Sequence, residues 1–405
     1  MTHRKSMASF FALNSSMVGL LTMVILVGMG EKLAERFLPL YLVALGGGTL
    51  SVGLLNGLDN LLSALYSFPG GYLSDRLGTK RALMVFNLLA MAGFLVVILV
   101  PSWQAVILGS VLFLSWTSLS LPATMSLVSK VLPSNKRTMG VSMHSLFRRI
   151  PMALGPVVGG LCIDVFGEVT GVRWAFGGAL AMAVVALIAQ QRLIEDDASG
   201  ARKDALRDPR TMVASMSPAL KNLLVSDILV RFCEQIPYAF VVLWCMKDIS
   251  APVSAVQFGL LTTVEMVVAM LVYVPVAWMA DRGGKKPFVV ATFCFFTAFP
   301  VILFFSHSFW PLVLAFVVRG LKEFGEPTRK ALIMDLAPEG QKAAMFGTYY
   351  LIRDLVVSVA AFGGALLWAV DPALNFFAAA FFGAAGTFWF ARYGDDLEVG
   401  SSGNA

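Results

Sequence analysis

The residues of this 405-residue chain equipped for chemistry are carboxylates and cations embedded in apolar runs. Glu31, Glu35 and Arg36 fall in the first such run, Asp59 in the second, and Arg148 with Arg149 in the fifth. Asp227, Arg231 and Glu234 fall in the seventh, Glu265 in the eighth, Arg319, Lys322, Glu323 and Glu326 in the tenth, and Arg353 with Asp354 in the eleventh. A charge at the centre of a bilayer costs at least about 2.5–3.5 kcal/mol, so it persists where it is paired or where it works. The work open to a carboxylate there is to take up and release a proton. Loss of water disfavours its charged form and a neighbouring arginine favours it, so a change of access can switch its proton affinity. Glu31 is the first candidate, with Glu35 four residues on and on the same helical face. Asp59, Asp227 and Glu234 are the further proton-coupling candidates. The opposing reading is that such charges are fixed ion pairs holding helices together. Arg148, Arg149, Arg353 and Asp354 are read that way, as pairs between two halves of the molecule.

The elements that must position these groups follow from composition. Hydrophobic residues make up 58% of the chain and charged residues only 14%, with a mean hydropathy of +0.77. Soluble domains average about 45–50% apolar and about 25% charged. Here the excess recurs along the whole chain, which lipid can cover and a soluble core cannot. Stretches long enough to cross a bilayer lie at 17–44, 51–74, 82–100, 104–127, 139–166 and 172–192. They resume at 218–246, 254–280, 287–306, 310–334, 342–370 and 373–393, twelve in all. The first runs past any plausible cleavage site, so it reads as a span rather than a signal peptide.

The net charge of +6 and pI near 9.2 sort by loop. Arg4-Lys5, Arg76, Lys80, Arg81, Lys130, Lys136 and Arg137 occupy one set of connections. Arg202, Lys203, Arg207, Arg210, Arg282, Lys285, Lys286, Arg329, Lys330 and Lys342 continue that set. The alternate loops carry only Arg173 and Lys247. That pattern puts both termini in the cytoplasm and excludes a nucleic-acid reading, which would need a basic face on a soluble fold. Cys162, Cys233, Cys245 and Cys294 lie in apolar runs without disulfide or zinc spacing, and the three histidines do not cluster, so no metal site is expected. No nucleophile elbow or phosphate loop is present, which argues against an enzyme.

The two halves overlay. PGGYLSDRLGTKR (69–81) aligns with PVAWMADRGGKKP (275–287), LPATMSLVSKVLP (121–133) with EPTRKALIMDLAP (326–338), and Gly159-Gly160 with Gly363-Gly364. The expected organisation is an all-α integral membrane protein of twelve transmembrane helices in two pseudo-symmetric six-helix bundles. Residues 1–192 and 218–405 form the bundles, and 193–217 is a polar cytoplasmic linker.

Gly71, Asp75, Arg76, Gly78, Lys80 and Arg81 match, at the right place, the signature that follows the second helix of the major facilitator superfamily, which this chain resembles over nearly its whole length. The second copy keeps Asp281, Arg282, Gly284 and Lys286, with Ala277 where glycine is expected. The resemblance implies a cytoplasmic latch built on these residues, and Gly78 suits the short turn they need. Gly155-Pro156-Val157-Val158-Gly159-Gly160 resembles the core of the family's antiporter motif, with Pro151 where a further glycine is usual. A generic kinked, closely packed helix is the alternative. Exporters of the family often carry an arginine in the fourth span. Here that span has no charge, and the tenth carries Arg319, Lys322, Glu323 and Glu326 instead.

The resemblance further implies that the first, fourth, seventh and tenth helices line a central cavity. Glu31, Arg36, Arg231, Lys322, Glu323, Trp116 and Tyr238 are then the substrate-cavity candidates. The expectation is a monomeric secondary transporter in the cytoplasmic (inner) membrane that exports a small molecule by proton-coupled antiport. The proton gradient supplies the energy and no cofactor is needed. Proton-coupled uptake of a metabolite or metal is one alternative, and a non-transporting membrane sensor or assembly protein on the same fold is another.

Overall fold

In the computed structural model, residues 15–114, 116, 137–194, 209–283, 285–337 and 342–395 are described. They are helices joined by short turns and connections, with no strand among them. Lipid offers no partner for a backbone N–H or C=O, and a helix satisfies both internally. The helices are α1 (Ser15–Ala34), α2 (Leu38–Ala44), α3 (Thr49–Leu77), α4 (Thr79–Leu99), α5 (Trp103–Phe113), α6 (Arg137–Phe166), α7 (Glu168–Leu193) and α8 (Pro209–Ala214). They continue with α9 (Pro218–Gln235), α10 (Val241–Leu243), α11 (Ala255–Gly283), α12 (Lys286–Phe304), α13 (Phe309–Leu321), α14 (Glu326–Leu336), α15 (Lys342–Val370) and α16 (Pro372–Tyr393). Among the described residues, eight helical stretches are long and apolar enough to cross a membrane, and α5 and α13 are shorter apolar helices. Each stretch assigned from sequence contains a described helix; the C-terminal part of the fourth lies outside the described residues.

Three of those stretches are broken. The first bends through a 3-10 turn at Glu35–Phe37, ahead of Pro39 in the first turn of α2. The seventh ends its regular helix at Gln235, before Pro237, and goes on through a 3-10 turn and a π-turn. The tenth, read as one span, is two helices separated at Lys322–Gly325, with Pro327 in the first turn of α14. A proline lacks the N–H that would continue the ladder, so a regular helix tends to end ahead of it. Elsewhere local signals start and stop the helices. Gly78, at φ 82°, is the single residue between α3 and α4, a conformation that glycine adopts without strain. Side-chain oxygens of Ser102, Ser217 and Asp371 cap α5, α9 and α16.

Contacts divide the chain into two compact units. The first comprises Met1–Ser51, Leu62–Lys203 and Ser254–Thr263; the second comprises Val52–Leu61, Asp204–Val253 and Val264–Ala405. In the first, α1 packs on α6 and α7, and α4 on α5 and α7. Phe94, Phe113 and Phe176 meet there at centroid distances of 5.3–5.8 Å. In the second, α16 packs on α9 and α12, and Trp244, Phe304, Trp368 and Phe376 form an aromatic core. The start of α3 joins this unit because Gly53 and Gly57 seat it on Ala365 and Phe362 of α15.

Candidate functional site

Asp227, Arg231 and Glu234 repeat at helical spacing along α9 and so present one face. The second unit brings α11, α13, α14 and α15 to that face with charges of their own. Arg329 of α14 donates to Asp227 and forks onto Glu326 at 2.8 Å, one helical turn away. Asp227 also accepts from Tyr349 at 3.1 Å and from Arg353 at 3.5 Å. Arg353 donates to Asp354 at 2.7 Å and lies 4.1 Å from the centroid of the Tyr350 ring. Arg231 donates to Glu234 at 2.5 Å and to Glu326 at 3.5 Å. Lys322 donates to the other Glu234 oxygen at 2.7 Å and stands 3.6 Å from Glu265 of α11. Arg319 lies 3.2 Å from that same Glu265 oxygen. The result is a continuous ladder of alternating charge through the second unit. In a medium that screens weakly, such a ladder persists because every charge has an opposite neighbour.

One end of the ladder borders a small cavity of about 10 Å³, room for about one water, lined by Glu234, Tyr238, Val241, Phe296, Phe299, Arg319 and Lys322. The walls carry both signs of charge and several aromatic faces. The Arg319 guanidinium sits over Phe299, Phe316 and Tyr238 at 5.1–5.7 Å, and the Lys322 ammonium over Phe296 at 5.6 Å. Cation–π attraction holds both cations in place without removing their charge.

The first unit has a smaller cluster. Lys32 bonds Glu31 at 3.2 Å and also bonds Glu35. Arg148 of α6 lies within electrostatic reach of both carboxylates, and Arg36 within reach of Glu35. The bend at Glu35 brings both carboxylates to one lysine, where the sequence reading had them simply sharing a face. Glu31 is 6% exposed. The motif glycines of α6 press against this region. A Cβ on Gly155 would sit 2.7 Å from the Lys32 Cβ, one on Gly159 would strike the Leu33 carbonyl, and one on Gly160 would strike the Ala255 backbone. The Pro156 carbonyl abuts Gly259 of α11.

The remaining sequence candidates are dispersed. Asp59, Arg149 and Glu323 are half-buried, Glu323 in the turn between α13 and α14. Trp116 donates its indole N–H to Asn87 at 2.7 Å. Asn87 donates to Gln190 at 2.7 Å, and Gln190 to the Lys80 carbonyl at 2.8 Å. Trp116 is therefore part of an interhelical chain in the first unit. Lys80 itself donates to the Gln191 carbonyl in the last turn of α7 at 3.0 Å, a cation at the negative end of a helix. Arg81 is exposed and Lys286, which opens α12, is half-buried. The side chains of Gly71, Asp75, Arg76, Asp281 and Arg282, and all of Gly284, lie outside the described residues. The partners seen for Arg353 and Asp354 are on helices of their own unit.

Several residues escaped the sequence reading. Arg329 reads from sequence as a basic loop residue, yet it is 1% exposed inside the ladder; its three-residue spacing from Glu326 is the one signal that points there. Glu265 and Arg319 were visible as charges within spans, but their pairing joins two helices distant in sequence. Lys32 stands in the sequence between the acids Glu31 and Glu35, a spacing that by itself marks it as their partner.

Among the described residues the helices bury paired charges inside each unit and expose large apolar side chains such as Leu99, Trp310 and Val370, the build of a multi-pass membrane carrier. The family model of the Major Facilitator Superfamily matches residues 20–249 and again 223–402, and the chain belongs to that superfamily. It is thus a transporter of small molecules and not an enzyme. It is 25% identical over 341 residues to the multidrug resistance protein MdtG of Enterobacter lignolyticus (strain SCF1), covering 82% of this chain and 80% of that one. It is 26% identical over 363 residues to the inner membrane transport protein YajR of Escherichia coli (strain K12), covering 84% and 75%. The crystal structure of the nucleoside transporter NupG superposes with a TM-score of 0.80 at 13% identity, covering 94% of this chain and 100% of that one, which shows the common fold.

Proposed function

We propose that this transporter is a proton-coupled antiporter that exports a small molecule across the cytoplasmic membrane by alternating access, acting as a monomer with both termini in the cytoplasm. The observation that carries the reading is the Glu31–Lys32–Glu35 group. It joins a nearly buried carboxylate to a neighbour through one shared lysine, at the place where Gly155 seats α6 on α1. Proton uptake by Glu31 would weaken its hold on Lys32 in favour of Glu35, so protonation changes the contacts on the face that α6 packs against. Two further features support export: the Gly-Pro-x-x-Gly-Gly element, and the similarity to MdtG, whose name is that of a multidrug resistance protein. YajR, named an inner membrane transport protein, supports the location.

The test is flux in proteoliposomes under an imposed pH gradient, with fluorescent solutes of either charge. Solute moving opposite to the protons, and losing that coupling in Glu31→Gln, is the expected result. Solute and protons moving together would replace export with proton-coupled uptake. Binding without flux would turn the reading to a sensor.

A further inference from the structure

The end of the stretch that reads from sequence as a polar linker, 193–217, is docked into the second unit. α8 is six residues long and packs on α15. Met212 lies in α8 and Met216 four positions on, in the turn that follows, and both are buried. They join one hydrophobic core with Leu220 of α9, Leu332 of α14, and Met345 and Tyr349 of α15. Ser217 completes the joint. Its hydroxyl oxygen accepts from the Leu220 N–H at 3.2 Å, and the same hydroxyl donates to the carbonyl of Leu336 at 3.4 Å. α14 ends at Leu336 and α15 begins at Lys342. The segment therefore grips both helices beside their connection and ties them to the start of α9.

Tyr349 links this core to the charge ladder. It lies among the core residues, one helical turn beyond Met345, and its hydroxyl donates to Asp227 at 3.1 Å. A helix of six residues is far below the length of about 12–15 at which a helix becomes even marginally stable in water by itself. α8 is therefore helical only while docked, and undocking and unwinding are one step. Its grip rests on one hydroxyl and on two unbranched thioether side chains, which adapt to a shifting surface better than branched ones do. We propose that residues 209–217 form a strap whose docking and the Tyr349–Asp227 bond stabilise each other, so that this end of the second unit opens only when both let go. In the orientation proposed above it is the cytoplasmic end, and the strap regulates access from that side. Whatever draws 209–217 off its seat loosens the ladder at Asp227, and whatever breaks the ladder bond frees the strap. The proposal is independent of the direction of transport and of the coupling ion.

The experiment follows the full-length protein in lipid nanodiscs by mass spectrometry, with two readouts. One is the rate at which added hydrogen peroxide oxidises Met212 and Met216. The other is amide hydrogen exchange in 209–217 and 342–352, with α12 of the same unit as the internal reference. Tyr349→Phe keeps the ring and removes only the hydroxyl. It should raise both the oxidation of the two methionines and the exchange of 209–217 about three- to tenfold, the equilibrium factor that one hydrogen bond is worth. Exchange in α12 should stay as in the wild type. Coupling between two contacts is reciprocal, so Met212→Ser combined with Met216→Ser should raise exchange in 342–352, again without α12. Wild-type oxidation rates of Met212 and Met216 in Tyr349→Phe would overturn the proposal. That variant leaves the sequence of the strap intact, so it decides the matter even where the serine variant does not fold. Faster exchange spread equally over α12 would be plain loss of stability and would overturn it too. Absent or reversed proton-driven flux leaves these outcomes untouched, so the strap and the antiport reading fail separately.

Discussion

Asp227 and Arg329 form an ion pair in which each side chain is only 1% exposed, joining α9 to α14 at the centre of the charge ladder. Removing one member leaves the other buried with a reduced set of partners, a loss of roughly 3–5 kcal/mol. Asp227→Leu or Arg329→Met should therefore lower the thermal unfolding temperature of detergent-purified protein sharply, and the double variant should recover part of the loss. A double variant less stable than both singles would show that the pair is not what holds these helices.

The repeat-related glycines Gly159 and Gly363 should respond in opposite ways. A Cβ at Gly159 strikes the Leu33 carbonyl, whereas one at Gly363 meets nothing within 4 Å. Gly159→Ala should cost about 1–3 kcal/mol through forced separation of α1 and α6. Gly363→Ala should be neutral, or stabilising by up to about 1 kcal/mol through helix propensity. Monodisperse yield and melting temperature measure both, and equal effects would refute the packing argument.

Asp164 accepts the N–H groups of Ala255 and Val256 at 3.0 and 3.2 Å, so the fifth span caps the start of α11. Asp164→Ala should destabilise by about 1 kcal/mol, the usual worth of a helix cap. Asp164→Asn, which keeps an acceptor, should lose less. The ranking of the two melting temperatures decides the matter, and an asparagine variant as unstable as the alanine one would count against capping.

Trp116→Phe leaves the buried Asn87 oxygen without its indole donor. An unsatisfied buried acceptor costs about 1–3 kcal/mol. The melting temperature should fall while the KM for any transported solute stays unchanged. A raised KM at unaltered stability would instead make Trp116 a substrate contact.

Much of the architecture was legible because lipid imposes it. Runs of about 20 apolar residues, the alternation of basic loops and the paired DRxGxK signatures needed no knowledge of contacts. The breaks at Pro39, Pro237 and Pro327 were visible as residues, but their effect was not drawn, since a membrane helix can absorb a proline by bending or by ending. Arg329 shows the same ambiguity for charge. A basic residue near the end of a span reads as a loop residue until its partners are known.

The sequence by itself determined the class of fold, the internal repeat, and the kinds of group held at membrane depth. These follow from one-dimensional periodicity and from the price of exposing polar backbone and charge to lipid. Only the tertiary structure decided which charge meets which. It gave Lys32 to Glu31 and Glu35, Lys322 to Glu234 and Glu265, and Asp227 to Arg329, Tyr349 and Arg353. Coulomb attraction depends on separation in space, and for residues more than a hundred positions apart, such as Asp227 and Arg329, that separation is fixed by helix packing and not by spacing along the chain.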